Sequence, residues 1–438
     1  MINANLLKEI ITEQRGLFSN TVGSIDRDIL HTENFSKICR LKEAVIVTGI
    51  RRSGKSYLLR LVWEKIKKEE KAVENNFLYF NFEDEKLLRF RADDFDLMME
   101  SYFELFDVRR DKKVYLFFDE IQNIPGWEKF INRLLEKDEY KIFITGSNAT
   151  LLSKEISSSL TGRNYSIIVY PLSFREFARY KLGRELKSAE MHEQKSRIAV
   201  KKVFKEYVDN GGFPEIAINN FRPLLQEYLK NIIYRDIVLR YKIKNEANLR
   251  EISAFIISNI GTILSLEKIR KMTKVRNLMT IKNYLSHLED SFLFFLVPKH
   301  SYSIKKQIYN PDKIYVIDTG MYNEVAFLNS PNDGRLLENL VFLELRRLNR
   351  GVYYFEDKKE CDFVIQEKNK IKQAIQVSKL LSVENKEREI AGLVEAMEKY
   401  SLEEGLILTE DGEDDIKVGD KKILVRPIYK WLLFGLEK

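Results

Sequence analysis

The sequence predicts an α/β protein of several domains, with a parallel sheet in its first half and a second α/β domain closing the chain. Three observations predict it. Short apolar, β-branched runs are spaced along the first 170 residues as buried parallel strands would be. A glycine-rich loop joins the first of these runs to a stretch of helical period. The chain's 438 residues are too many for one hydrophobic core, so two or three domains are expected.

Ala44–Thr48 is the first strand, and Gly49 to Ser56 follows as GIRRSGKS, which matches G-x-x-x-x-G-K-[ST]. Leu58, Leu59, Val62 and Ile66 then recur at helical spacing, so the motif has the strand–loop–helix setting it requires. Gly49 and Gly54 allow backbone torsions closed to other residues and turn N–H groups toward a triphosphate. Lys55 is expected to reach the β- and γ-phosphates and Ser56 to ligate Mg²⁺, with the helix amino end adding its dipole. The cradle so predicted is Gly49, Ile50, Arg51, Arg52, Ser53, Gly54, Lys55, Ser56 and Tyr57, with ATP and Mg²⁺ as ligands. Arg51 and Arg52 make it more positive, but their sequence position defines no role for them.

A second strand is read at 77–82, with Glu83 and Asp84 at its end, and a third at 113–119 (KVYLFFD). The third ends in Asp119, an acid placed to hold Mg²⁺ through water, and Glu120, the natural general base for an attacking water. The competing reading of Asp119 is a plain helix cap. The fourth strand, 141–147 (KIFITGS), ends at Ser147 and Asn148. Either can sense the γ-phosphate, and either can cap a helix starting near Ala149. Arg163, in the turn LTGRNY before a fifth strand at 165–170, is read on the carboxyl-edge side of the sheet. There it is a candidate arginine finger, in cis or toward a neighbouring subunit, or a surface arginine.

The motifs GIRRSGKS, LFFDEIQNIPGWE, FITGSNA and LTGRNYSIIVYPLSFREF, in that order, resemble the AAA+-type P-loop ATPases of bacteria and archaea that carry a C-terminal domain of unknown function. YVDNGGFPE (208–216) and YRDIVLRYKIKN (234–245) extend the resemblance over nearly the whole chain. It implies an ATP-binding core of parallel strands between helices. A helical lid, a winged helix and a domain resembling restriction-endonuclease-like folds would follow. The domains are then 1–35 (helical lead-in), 36–185 (ATPase), 186–247 (lid), 248–320 (winged helix) and 321–438 (nuclease-like). Lys181 to Lys202 is read as a flexible linker or a solvated helix.

Residues 249–318 also read independently as a helix-turn-helix with a wing formed by FLFFLVPKH and KIYVID. Lys268, Arg270, Lys271, Lys274, Arg276 and Lys282 occur there without an acid between them, and Lys299, Lys305, Lys306 and Lys313 are assigned to the wing. This local cluster, hidden within an overall charge of +7, is a footprint for duplex DNA, with contacts expected from Lys271, Lys274, Arg276 and Lys282. A packing module is the alternative.

At the C-terminal end a helix at 336–348 and strands at 352–355, 361–365 and 374–377 follow the order of PD-(D/E)XK nucleases. Glu338 and Asp362 fit two of the acids, which in those enzymes hold a metal that makes hydroxide. Gln376 stands where the third acid belongs, Ser378 where the lysine belongs, and Lys379 one place later, on the opposite face of a strand. A docking or DNA-clamping module is the expectation, with an ATP-dependent nuclease as the lesser alternative.

Composition excludes other classes. Cys39 and Cys361 make no disulfide framework, no CxxC exists, and the four histidines are scattered, so no transition-metal site is expected. MINANLLKEIITEQRG lacks the apolar core of a signal peptide, and FLFFLV (292–297) is too short to span a bilayer. A cytoplasmic protein without membrane contact is expected, with a protein partner and a homo-oligomer as further candidates.

Overall fold

The computed structural model describes residues 2–19, 25–70, 72–147, 162–326 and 333–435. They fall into two compact units, Met1–Val169 and Tyr170–Lys438. Asn148 lies outside the described residues.

In the first unit, strands β1 (Ala44–Thr48), β2 (Phe77–Asn81), β3 (Val114–Asp119), β4 (Tyr140–Gly146) and β5 (Asn164–Ile168) form one sheet in the order β2-β3-β4-β1-β5. Every pairing is parallel. Successive side chains of a strand face opposite ways, and both faces of β1, β3 and β4 are buried, which is why they read as mainly apolar runs, whereas β5 at the sheet edge is largely exposed. Ile46, Phe80, Phe118 and Ile144 pack with Leu7, Ile10 and Ile11 of helix Ala4–Ser19 and with Phe95 and Trp127. Val45, Val47, Tyr79, Phe117 and Phe143 pack with Leu58, Leu59, Val62 and Trp63 of helix Lys55–Glu69. The N-terminal helix is therefore part of this unit's core. Because all strands are parallel, the loop after β1, the acids ending β3 and Ser147 after β4 share one edge, and β4 separates β1 from β3.

The same register corrects the reading of Arg163. It directly precedes β5, whose Asn164 pairs with Ala44 at the start of β1, and its carbonyl accepts the Ala44 N–H at 3.0 Å. Arg163 thus lies at the amino edge of the sheet, a full strand length of about 16 Å from the loop edge. A parallel strand must be entered from the amino edge, and the glycine turn gave no sign of that direction.

In the second unit, Ser173 and Glu176 form a capping box at helix Phe174–Leu182. The segment read as linker or solvated helix is helical at both ends, in Phe174–Leu182 and Gln194–Asn210, with a 3-10 turn at Ser188–His192 between them. The NGG turn that follows is a bracket. Gly211 takes φ +77°, ψ −170°, a conformation only glycine adopts readily. The Gly212 N–H donates to Asp318 at 2.7 Å and its carbonyl accepts the Leu172 N–H at 2.6 Å. A Cβ on Gly211 would stand 2.0 Å from Asp318 Oδ1. Helices Pro214–Asn219 and Leu224–Asn231 follow, and the latter runs on into a π-helical turn at Ile232–Val238.

Helices Glu246–Ser258, Leu266–Met272 and Leu278–Asp290 come next, then strands β6 (Phe294–Val297) and β7 (Lys313–Val316), which pair antiparallel. Helix Asp333–Arg347 leads to a six-stranded mixed sheet of β8 (Gly351–Glu356), β9 (Glu360–Glu367), β10 (Lys370–Val377), β11 (Glu404–Thr409), β12 (Asp414–Val418) and β13 (Lys421–Pro427). Its order is β12-β13-β11-β10-β9-β8, and Leu393, Ala396 and Met397 of helix Lys386–Lys399 cover one face. No helix among the described residues is long and apolar enough to cross a membrane.

Candidate nucleotide site

The loop is built by the torsions its glycines permit. Gly49 has φ +144°, and a Cβ there would lie 2.2 Å from the Val169 carbonyl oxygen. Gly54 has φ +94° and precedes helix Lys55–Glu69 without any side-chain cap, so the first N–H groups of that helix face the loop. Arg52 also takes a positive φ, +70°. Lys55 is buried, and its Nζ donates to the carbonyls of Gly49 at 3.1 Å and Ile50 at 3.2 Å. The Ser53 Oγ is buried with no hydrogen-bond partner among the described residues. Ser56 is exposed on the first turn of the helix, and Tyr57 is half-buried behind it. An ammonium laid across the loop, an unspent hydroxyl and uncapped helix N–H groups fit a polyphosphate.

Two arginines frame the loop. Arg51 is tied to Glu83 at 3.1 Å, which brings the end of β2 to the site, whereas Asp84 accepts from Gln14 at 2.9 Å and is turned to the N-terminal helix. Arg27 is buried, and its Nη1 donates to the Ser53 carbonyl at 3.2 Å. Sequence reading missed Arg27, because nothing in its local pattern distinguishes it from a surface arginine.

At the end of β3, both Asp119 oxygens are engaged. Tyr79 donates to Oδ2 at 2.8 Å and Thr145 donates to Oδ1. The same Thr145 hydroxyl accepts the Glu120 N–H at 3.0 Å. Glu120 sits in the left-handed region, φ +52° and ψ 38°, a strained setting for a non-glycine residue. Its carboxylate accepts from Gln122 Nε2. Burial raises the Glu120 pKa first; Lys55 pulls it down, and Asp119 pushes it up again. Ser147 is buried at the end of β4. The fold therefore brings Lys55, Ser56, Asp119, Glu120 and Ser147 to one edge and leaves Arg163 at the other.

Residues 41–178 match the AAA domain family, and 201–332 and 333–431 match two domains of unknown function. With the glycine loop and acid-tipped third strand on an all-parallel sheet, this defines the first unit as an AAA-type P-loop nucleotide-binding ATPase core. The chain belongs to the family of the uncharacterized protein MJ1544 of Methanocaldococcus jannaschii, to which it is 36% identical over 408 residues, 89% of this chain and 88% of that one. An uncharacterized Haemophilus influenzae protein is 32% identical over 336 residues, 74% of this chain and 80% of that one. Among solved structures, Cdc6p from Pyrobaculum aerophilum is 13% identical, covering 71% of this chain and 96% of its own, with a TM-score of 0.29.

Proposed function

We propose that this protein hydrolyses ATP with Mg²⁺ and that its nucleotide state controls the C-terminal segments, which contact duplex DNA. The observation that carries the reading is the shared edge holding Lys55, Ser56, Asp119 and Glu120. The backbone from Gly49 to Tyr57 cradles the phosphates, and Lys55 offsets their charge. Ser56 would ligate Mg²⁺ and Asp119, its oxygens engaged by Tyr79 and Thr145, would hold it through water; the ion would neutralise charge on the phosphates. Glu120 accepts the proton of the attacking water, and Ser147 or Asn148 senses the γ-phosphate. Arg163 has no role in its own chain's site; it is a surface arginine or, in a homo-oligomer, a finger toward a neighbour's phosphates.

The domain scheme of 36–185, 186–247, 248–320 and 321–438 stays part of this proposal, with residues 248–320 read as a winged helix. Lys271, Lys274, Arg276 and Lys282 are all exposed there, which supports phosphate contacts with duplex DNA. Lys313 stays in β7 but leaves the basic footprint, because it is buried and ion-paired. The decisive test is steady-state hydrolysis with and without duplex DNA. Turnover should rise several-fold with DNA at low salt and lose that gain as salt is added. Turnover indifferent to DNA would make these helices a packing module.

A second reading, a slow nucleotide switch that recruits a protein partner, is favoured by one observation: Gln122 already holds the Glu120 carboxylate. A base spent on its own side-chain neighbour turns over slowly.

Thr145 is the positioning residue for both readings, since one hydroxyl ties Asp119 to the backbone of Glu120. Thr145→Val should lower kcat roughly tenfold, the worth of a hydrogen bond to a charged group. ATP affinity should change little, and Thr145→Ser should restore most of the rate. Equal loss of binding and rate would instead mean that the valine disturbs the sheet.

A further inference from the structure

The C-terminal acids gather around a cation that the chain itself supplies. Glu338 and Asp362 are buried, but Lys379 is not their partner: it is exposed and paired with Asp333. In β10 its side chain would have had to cross to the other face, and the chain leaves the strand at Val377 instead. Gln376 does not stand in for an acid either. Its Oε1 accepts the Asp362 N–H at 3.2 Å, and its Nε2 donates to Glu389 of the next helix at 2.8 Å.

The ammonium among the acids belongs to Lys313, at the start of β7 and 1% exposed. Its Nζ lies 3.2 Å from Glu338 Oε1 and 3.3 Å from Asp362 Oδ1, and it also pairs with Glu360. An ammonium has three donors, and three carboxylates take them. The acids have little left to offer a metal. Glu338 Oε1 also accepts from the Tyr315 hydroxyl at 2.6 Å, and Asp362 Oδ2 accepts the Val377 N–H at 2.9 Å. A Cβ on Gly261 would come within 3.0 Å of Glu338 Oε2, so backbone crowds that side. Among the described residues, no group of three or more His, Cys, Asp or Glu side chains is arranged to hold a metal ion.

We propose that Lys313 is the resident cation of this acidic centre, occupying the place of a divalent metal, and that the centre is an ion lock rather than a phosphodiester-cleaving site. The lock fastens the β6–β7 hairpin to helix Asp333–Arg347 and β9. Other bonds run along the same seam. Asn339 pairs through its side chain with both backbone groups of Val316, at 2.8 and 2.9 Å, and Tyr315 stacks on Phe342 with centroids 4.4 Å apart. The Tyr354 hydroxyl donates to the Pro311 carbonyl at 2.7 Å. Electrostatics agree. Burial alone would lower the Lys313 pKa, yet Glu338, Tyr315, Asp362 and Glu360 together hold it well above its usual value. Burial and Glu338 push Asp362 up. Hairpin and sheet then move as one body, whichever function the nucleotide site serves.

The test is thermal unfolding of the nucleotide-free full chain with and without millimolar Mn²⁺. Lys313→Met keeps the length and removes the charge, leaving buried carboxylates uncompensated, and should lower the midpoint by roughly 5–10 °C. Mn²⁺ should recover several degrees of that loss, and the recovery should vanish in Lys313→Met/Asp362→Asn. The wild-type response to Mn²⁺ should equal that of Asp362→Asn, a comparison that stands even where Lys313→Met does not fold. A wild-type Mn²⁺ response lost in Asp362→Asn, or Asp362-dependent cutting of DNA by the wild type, would overturn the proposal. So would a folded Lys313→Met protein that ignores Mn²⁺.

Discussion

The Lys55→Ala protein is expected to bind ATP at least a hundredfold more weakly than the wild type while remaining folded. Lys55 is buried at the start of its helix, and its ammonium lies across the loop on the Gly49 and Ile50 carbonyls. The methylenes of the lysine are fixed by the helix, so the charge is delivered to the loop with little loss of side-chain freedom on binding. Each hydrogen bond from an ionised donor is worth about 1.5–3 kcal/mol, and losing two from a polyphosphate costs about 3–6 kcal/mol. That corresponds to a drop of roughly 10²–10⁴-fold in affinity. Calorimetry or a fluorescent ATP analogue measures it, and circular dichroism checks the fold. Affinity within threefold of the wild type would remove Lys55 from the site.

Glu120→Gln should separate binding from chemistry. The amide keeps the shape and still meets Gln122, but it cannot accept a proton. Removing a general base costs about 10²–10⁴ in rate, so kcat should fall by that factor with ATP affinity retained. The pH profile provides a second readout. Burial, then Asp119 against the pull of Lys55, leaves the Glu120 pKa above that of an ordinary glutamate. The base is active only when ionised, so wild-type kcat should rise with pH through that raised value. The variant's residual rate should lack this limb. Full turnover by Glu120→Gln would sink the assignment of the base.

The parts of the site that were legible share one property: their signals are local. GIRRSGKS carries its torsional requirement in the residues themselves, and Gly49 at φ +144° against the Val169 carbonyl is that requirement met. KVYLFFD ends in Asp119, which β3 delivers to the loop edge with Glu120 directly after it. The apolar runs of β1 and β3 are what burial on both faces demands.

What stayed hidden depended on which segments meet. Arg27 reaches Ser53 across 26 residues, and Thr145 reaches Asp119 across another 26. Arg163 lies at the amino edge, and a turn does not state the direction of the strand it enters. Lys313 looked like one more lysine of a basic stretch, yet it meets Asp362 across 49 residues. Composition and period determined the parallel nucleotide-binding core and the helix-then-strands order of the C-terminal domain, because backbone torsion and burial act residue by residue. Only the tertiary structure decided which charges are neutralised, because Coulombic pairing depends on distance in space, and sheet register sets that distance.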